Sequence, residues 1–154
     1  MAEHEAGDFS EQINAAAKDG WMGAMGIKLL RATRDEVVAE VEIGPAHLQA
    51  YGIVHGGLHS GLIETIASIG AALDAMPAGR NVVGLENHTS FLRAVRSGKL
   101  RAVAKPLARG RRSQVWEGSV MDEQGRLAAS GRVRLLVLEP EADVAGGKVR
   151  LPGH

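Results

Sequence analysis

One stretch of about twenty residues constrains the fold more than any other, because it is apolar on nearly every side of a helix. From Gly57 to about Met76, leucine and isoleucine recur at steps of three and four residues, which is the period of an α-helix. Scattered polar side chains interrupt the run, so it predicts a buried helix rather than a membrane span. Such a helix must be covered by other elements on most of its sides.

The remaining periodic segments predict strands. Residues 26–33 and 37–43 precede the helix, and apolar side chains alternate with polar ones in the second segment. Four longer strands with short turns follow it and predict an antiparallel meander: residues 82–92, 100–108, 113–121 and 127–138. The predicted fold class is α+β, an antiparallel sheet wrapped around one long central helix. Because one helix leaves a face of the sheet uncovered, we expect association with another subunit.

The length and composition suit one soluble domain. We divide the 154 residues into an N-terminal segment with a short helix (1–20), one folded domain (21–139) and a flexible tail (140–154). Basic and acidic residues both number 18, so the net charge predicts no affinity for nucleic acid or membrane. The absence of cysteine excludes disulfides, thiolate metal sites and a cysteine nucleophile. The acidic start does not read as a signal peptide, and we expect a cytoplasmic protein.

A single acidic residue interrupts the apolar helix. Glu64 is the only carboxylate between Gly56 and Leu73, and an ionised carboxylate in apolar surroundings is costly unless it is paired or hydrogen-bonded. A group kept at such a cost is a candidate for catalysis. Ser60 and Ser68 lie one turn away on either side, so a hydroxyl can orient the carboxylate or a water molecule. The alternative is a polar helix edge, where Glu64 reaches solvent or pairs with an arginine.

Two glycines, Gly56 and Gly57, open this helix. The first-turn amides lack partners within the helix, and together with the positive end of the helix dipole they suit an oxyanion hole. The alternative is a tight strand-to-helix turn. His55 and Gln49 precede the glycines, and either could donate to a carbonyl oxygen or a leaving group, although a loop histidine also serves structural hydrogen bonding. Three further histidines are predicted to be structural: His47, His59 and His88.

Common nucleophile, metal and nucleotide motifs are absent from the sequence. It contains no GxSxG elbow, no HExxH pair, no GxGxxG turn and no P-loop. His55 and His59 are four residues apart, but His55 precedes the helix and no third ligand lies nearby. We therefore predict no metal site.

A basic stretch follows the helix. Residues 87–116 contain no aspartate or glutamate and hold 8 of the 18 basic residues. Arginine clusters bind phosphates well, and the favoured subset is Arg111-Arg112-Ser113, which follows Gly110 in a turn. The alternative is a charged sheet edge in solvent. RNA is a weaker alternative, because aromatic residues make up only 3% of the chain and offer few surfaces for base stacking.

The segment QAYGIVHGG, from Gln49 to Gly57, together with Glu64 and Ser68 resembles the hot-dog-fold acyl-CoA thioesterases. The resemblance is strongest to the branch that uses a helix glutamate, which includes 4-hydroxybenzoyl-CoA and 1,4-dihydroxy-2-naphthoyl-CoA thioesterases. It covers roughly residues 21–138 and includes three further segments: residues 87–93, 110–116 and 122–127. It implies the hot-dog fold and a hydrolase that cleaves an acyl- or aryl-CoA into the free acid and CoA.

The resemblance also implies a role for each matching residue. The Gly56 N–H would polarise the thioester carbonyl, and Glu64 would attack it as a nucleophile or activate water as a general base. Gln49 and His55 would position the carbonyl and the leaving thiolate, and Ser68 would orient Glu64 or the water. Residues of the later segments would bind CoA: Phe91, Arg93, Gly110, Arg111, Arg112 and Ser113.

The same resemblance implies a homo-oligomer, in which the active site forms between two subunits and dimers commonly pair into tetramers. CoA is part of the substrate, so no cofactor is expected. Arg111 and Arg112 depart from members that carry small hydroxyl residues there. Two alternatives stay open: a hydratase or dehydratase acting on a CoA or carrier thioester, and a non-catalytic module that binds acyl-CoA. Candidates to line the acyl pocket are Tyr51, Leu58 and Met76.

Overall fold

The computed structural model describes residues 7–149, whose main body is a six-stranded antiparallel sheet around one long helix. The helices are α1 (Ser10–Ala16), α2 (Trp21–Met25) and α3 (Gly56–Ala75), with 3-10 turns at Pro45–His47 and Met76–Ala78. The sheet strands are β1 (Lys28–Ala32), β2 (Val37–Glu42), β3 (Asn81–Phe91), β4 (Lys99–Arg109), β5 (Ser113–Met121) and β6 (Leu127–Leu138). A small hairpin follows, formed by β7 (Asp143–Val144) and β8 (Gly147–Lys148).

The predicted fold class is confirmed, and α3 begins and ends one residue before the predicted bounds. It packs against strands β2 to β6 through side chains with no exposed surface, among them Leu62, Ile63 and Ile66. The indole of Trp116, the largest fully buried side chain, lies against Gly70 so closely that a Cβ at Gly70 would overlap the ring. A glycine is therefore what lets α3 approach the sheet at this point.

The strand order differs from the predicted meander at one strand. The order is β1-β2-β4-β5-β6-β3, so β4, β5 and β6 form the meander but β3 lies at the far edge. There it pairs with β6, from Asn81 opposite Leu138 to Phe91 opposite Ala129. After β2 the chain runs across the sheet as α3 and forms β3 at the opposite edge. The next strand, β4, then pairs with the side of β2 that β1 leaves unpaired. The meander prediction was wrong at β3 because consecutive strands need not be neighbours.

One edge of the sheet is covered by the chain itself, and the other is open. Alongside β1, the Asn14 side chain donates to the Leu29 carbonyl and accepts from the Leu29 amide, each at 2.9 Å. Asp8 accepts from the Ala32 amide at 2.9 Å. On β3, residues 84–88 are all exposed, and no strand within residues 7–149 pairs with its outer side. An open edge of this length is available for pairing with another chain.

The face of the sheet that turns away from α3 carries ion pairs. Lys99 lies 3.6 Å from Glu40, and Arg132 lies 3.7 Å from Glu117. A charged face is stable in water and needs no cover. This face therefore gives no support to the expectation that it must be covered by a subunit, and the open edge of β3 is the better candidate for that contact.

The predictions for the two ends of the chain are tested only in part. The helix expected within residues 1–20 corresponds to α1, and the tail contains the hairpin at residues 143–148. The division into segments 1–20, 21–139 and 140–154 stays a prediction, and residues 150–154 lie outside the described part of the chain. Within residues 7–149 no helix is long and apolar enough to cross a membrane.

The contact of Gly70 with Trp116 gives a test of the packing. We expect Gly70→Ala to lower the free energy of unfolding by about 1–3 kcal/mol, because the added methyl group forces the ring or the helix to shift. Urea denaturation followed by circular dichroism measures the change.

The control is the same substitution in a Trp116→Leu background. Removal of the ring takes away the three atoms that lie nearest to the added methyl group, and alanine is the better helix former. An equal loss of stability in both backgrounds would contradict the proposed origin of the effect.

Candidate active site

The N-terminus of α3 is capped by His55. Its Nδ1 accepts from the Gly57 amide at 2.7 Å, and its carbonyl oxygen accepts from the Leu58 amide at 2.9 Å. Because Nδ1 is an acceptor, the neutral ring carries its proton on Nε2, which is free to donate to a bound molecule. These bonds satisfy the amides of Gly57 and Leu58 but not the Gly56 amide, which lies at the positive end of the helix dipole. An unpaired amide at this end of a helix is suited to stabilising an oxyanion.

A pocket of about 320 Å³ opens beside Gly56. Gln49 lines it, and because the Oε1 of Gln49 accepts from the Tyr51 amide at 2.5 Å, its NH₂ group can donate to a bound carbonyl. The Phe91 ring also lines the pocket, so close to Gly56 that a Cβ there would come within 2.8 Å of it. Apolar side chains and one arginine complete the wall: Ile53, Val54, Leu92, Ala94 and Arg93.

His59 belongs to the same pocket, although its sequence position suggested a structural residue. It lies one turn after Gly56, is 3% exposed, and its ring centroid is 6.1 Å from that of Phe91. Its Nδ1 has no hydrogen-bond partner in the described part of the chain. Burial lowers the pKa of His59 below its ordinary value of 6.5, so the ring is neutral at pH 7.

The other two histidines assigned to structural roles behave differently. His47 is buried with both ring nitrogens satisfied: Nδ1 accepts from the Gly44 amide at 2.9 Å, and Nε2 lies 2.7 Å from the Met25 carbonyl. It thereby ties the loop before α3 to the end of α2. His88 is exposed on β3. The contrast singles out His59, since only an unsatisfied buried nitrogen calls for a partner from outside the chain.

Glu64 is half-buried and is held from the edge strand β3. Asn87 donates from Nδ2 to Glu64 Oε2 at 3.0 Å, and the Thr89 hydroxyl donates to Asn87 Oδ1 at 2.7 Å, which fixes the amide orientation. Ser68 Oγ lies 3.5 Å from Glu64 Oε1, a long contact. Gly84 makes room, because a Cβ there would collide with Glu64 Oε1. The carboxylate is thus oriented chiefly by Asn87, which sequence reasoning missed.

The sequence left open that Glu64 pairs with an arginine. Within residues 7–149 Glu64 forms no ion pair, and its side chain is held by Asn87 instead. The polar stripe is nevertheless partly structural. The Ser60 carbonyl accepts from Asn87 Nδ2 at 3.0 Å, so Ser60 contributes its backbone to the same junction of helix and edge strand. A carboxylate with one oxygen firmly held and the other only loosely contacted can still accept a proton.

Glu64 and the Gly56 amide do not meet within one chain. They are eight residues apart on α3, and at a rise of 1.5 Å per residue this separates them by about 12 Å. The two groups therefore start from backbone positions more than two helical turns apart.

The predicted CoA-binding residues fall into two groups at opposite ends of α3. Phe91 and Arg93 line the pocket at its N-terminal end. The turn at residues 110–113 lies at the other end, where the Arg111 carbonyl accepts from the Arg80 side chain at 3.2 Å. A 20-residue helix spans about 30 Å, so one chain does not bring the two groups together.

The three residues suggested for the acyl pocket lie elsewhere in the described chain. Tyr51 is 82% exposed, Leu58 is buried in the core, and Met76 follows the C-terminal end of α3. None of them lines the pocket beside Gly56. Large apolar side chains were the only sequence signal for that role, and it does not distinguish core from pocket.

Comparison with known proteins decides the family. The model of the thioesterase superfamily matches residues 51–129, which include Gly56, His59 and Glu64. The chain belongs to the thioesterase superfamily. It is similar to the 1,4-dihydroxy-2-naphthoyl-CoA hydrolase of Escherichia coli, with 34% identity over 128 residues, 83% of this chain and 93% of that protein.

Solved structures agree with this. A crystal structure of a thioesterase from Haemophilus influenzae superposes with a TM-score of 0.81 at 32% identity and covers 86% of this chain and 92% of that one. A Pseudomonas aeruginosa thioesterase gives a TM-score of 0.80 at 27% identity, with 84% and 93% covered. The hot-dog fold and thioester hydrolysis, both expected from the resemblance, are confirmed, and the comparisons give no support to a hydratase.

Burial of His59 makes the stability of this thioesterase depend on pH. The unfolded chain binds a proton at this residue near pH 6.5, whereas the folded chain binds it only at lower pH. The contribution of the neutral ring is therefore fully present above pH 6.5 and declines as the pH falls from 6.5 towards the folded pKa. We expect this part of the decline to disappear in His59→Leu, as measured by urea denaturation across pH 5 to 8.

Leu58→Val is the matched control, since it disturbs the same helix turn without removing a titrating group. An unchanged pH profile in His59→Leu would contradict the burial of a neutral histidine.

Proposed function

We propose that this thioesterase hydrolyses acyl- or aryl-CoA esters to the free acid and CoA, with Glu64 as the catalytic carboxylate. The observation that carries the proposal is the orientation of Glu64 by Asn87, on a buried helix and without a compensating cation in the described chain. Such a group is poised to accept a proton or to attack a carbonyl. The relative that is named as a CoA hydrolase supports CoA as the thiol.

The Gly56 amide and the Gln49 NH₂ group supply the other half of the chemistry. Both can donate to the thioester oxygen as it gains negative charge in the tetrahedral intermediate. In the general-base route Glu64 removes a proton from water, the hydroxyl adds to the carbonyl carbon, the C–S bond breaks, and the sulfur leaves with a proton. In the nucleophilic route Glu64 first forms an anhydride, which water then cleaves. In both routes the His55 Nε2–H can donate a hydrogen bond to the departing thiolate without giving up its proton, and the sulfur takes its proton from protonated Glu64 or from solvent.

Each active site, we infer, is shared by two copies of the chain. Within one copy the backbones of Gly56 and Glu64 lie about 12 Å apart along the helix axis, whereas the edge of β3, which holds Glu64 through Asn87, is open within residues 7–149. Antiparallel pairing of β3 with its counterpart about a two-fold axis would set the Asn81 end of one strand beside the Phe91 end of the other. Glu64 of one copy would then approach the pocket of its partner.

The same pairing gives the basic residues a shared role in holding CoA. Arg93 lines the pocket of one copy, and the turn with Arg111 and Arg112 lies near the Asn81 end of β3 in the other. Together they would supply guanidinium groups to the phosphates of CoA. A dimer of dimers and a cytoplasmic location are further parts of this proposal, the former supported by the resemblance described above.

The role of Glu64 is tested by Glu64→Gln. We expect kcat for CoA release to fall by about 10² to 10⁴-fold, because the amide can neither accept the proton of water nor act as a nucleophile. A panel of CoA esters assayed both for free thiol and for loss of ester measures this, and circular dichroism verifies the fold.

Glu117→Gln is the matched control, because Glu117 lies on the charged face of the sheet that turns away from α3, where it pairs with Arg132 at 3.7 Å. Normal turnover by Glu64→Gln would exclude Glu64 as the catalytic group. Consumption of an enoyl-CoA without thiol release would instead indicate a hydratase.

The shared site is tested by mixing two inactive variants. Gly56→Val blocks the amide, because its side chain collides with Phe91, and Glu64→Gln lacks the carboxylate. In a mixed dimer one of the two sites combines an intact Gly56 with an intact Glu64, so random exchange should restore about one quarter of the wild-type activity. The measurement is thiol release after co-refolding. Activity that stays absent in the mixture, while both variants fold and dimerise, would place the whole site within one chain.

A further inference from the structure

The pocket beside Gly56 contains one polar group that the mechanism above does not use. His59 lines this pocket, yet it contacts neither Glu64 nor a capping amide within the described residues. It lies one helical turn after Gly56, so its backbone is about 4.5 Å further along α3 than the proposed oxyanion amide. The side chain therefore faces whatever group extends from the thioester carbonyl into the pocket.

The hydrogen-bonding state of His59 follows from its surroundings. Nδ1 is buried without a partner in the described chain. A buried N–H without an acceptor is rarer than a buried lone pair without a donor, so the proton of the neutral ring resides on Nε2. The ring thus offers one N–H donor to the pocket. Burial keeps the ring uncharged at neutral pH, since it lowers the pKa of His59.

The side chains around this donor are mostly apolar. Ile53, Val54 and Leu92 line it with hydrocarbon, and the Phe91 ring lies beside the imidazole with centroids 6.1 Å apart. The Gln49 side chain is held by the hydrogen bond that its Oε1 accepts from the Tyr51 amide, and its NH₂ group is assigned to the thioester carbonyl in the proposed mechanism. A hydrocarbon acyl group in this pocket would leave the imidazole donor without a partner, which is costly in an apolar site. An acyl group with an oxygen near the carbonyl would satisfy it.

We propose that His59 is a specificity-determining residue, whose imidazole donates a hydrogen bond to a hydroxyl or keto oxygen carried by the acyl group a few bonds from the thioester carbonyl. The proposal rests on thioester hydrolysis at the site described above. His59 takes no part in bond breaking. It discriminates between acyl groups, because a site built to hydrogen-bond a substrate oxygen rejects the analogue that lacks it.

The test compares two esters that differ by one oxygen, 3-hydroxyhexanoyl-CoA and hexanoyl-CoA. For the wild type we expect a higher kcat/KM with the hydroxylated ester. In His59→Leu the ratio of the two values should fall by about tenfold, the effect of one buried hydrogen bond. His59→Gln, which retains a donor, should recover part of the ratio. Leu58→Val is the control, because Leu58 is a buried neighbour outside the pocket, and its ratio should match the wild type.

Measurements of ester binding distinguish a failure of the role proposed for His59 from a failure of the proposed hydrolase function. Calorimetric titration of both esters into Glu64→Gln, with and without His59→Leu, gives the preference in the absence of turnover. Turnover by the wild type with the same ratio in His59→Leu would overturn the role of His59 and leave the hydrolase intact. Absence of turnover together with equal binding of both esters would overturn both.

A measurement on the Glu64→Gln protein with His59 intact covers the case in which His59→Leu fails to fold. Nitrogen-15 correlation spectra should show the His59 proton on Nε2, and the Nε2 resonance should move on saturation with 3-hydroxyhexanoyl-CoA and much less with hexanoyl-CoA. A proton on Nδ1, or equal responses to both esters, would overturn the proposal.

Discussion

The packing of α3 against the sheet is the constraint on which the rest of the structure depends. A 20-residue helix with nearly every side apolar has to lie across the sheet, and Gly70 lets it do so by admitting the Trp116 ring against its backbone. Once the helix is fixed, the positions of its functional groups follow from helical rise alone. The Gly56 amide stands at one end, and the backbone of Glu64 lies about 12 Å further along the helix axis.

The same packing explains why the edge strand carries part of the site. The chain leaves α3 at the far side of the sheet, so β3 becomes an edge rather than a member of the meander. Asn87 on that strand then reaches Glu64, and Gly84 leaves space for the carboxylate. The edge position of β3 therefore explains both the orientation of the Glu64 carboxylate and the unpaired edge beside it. The proposed sharing of the site depends on this, because an acid held at an unpaired edge is accessible to a second copy, whereas one held at a central strand would not be.

Local patterns were enough to predict α3 and the six strands of the main sheet, because the period of apolar residues differs between helices and strands, whereas α2 and the small hairpin were not predicted. The bounds of α3, β5 and β6 follow from this period nearly to the residue. The sheet order could not be predicted, since the β3–β6 pairing joins residues that are 38 (Phe91 and Ala129) to 57 (Asn81 and Leu138) positions apart and leaves no local trace. Asn87 was missed for the same reason. His59 was noticed but assigned a structural role, although a histidine three residues after Gly56 in an apolar helix was a usable signal.

The electrostatics of the pocket argue for a neutral histidine. In the proposed mechanism negative charge develops on the thioester oxygen, and it is met by dipoles: the end of α3, the Gly56 amide and the Gln49 NH₂ group. An imidazolium at His59 would be a full charge in a hydrocarbon wall, beside Phe91 and without a counter-charge, and it would attract the oxyanion away from those donors. Burial avoids this by keeping the ring uncharged. What is left is a directional donor, which can distinguish acyl groups without competing for the reacting oxygen.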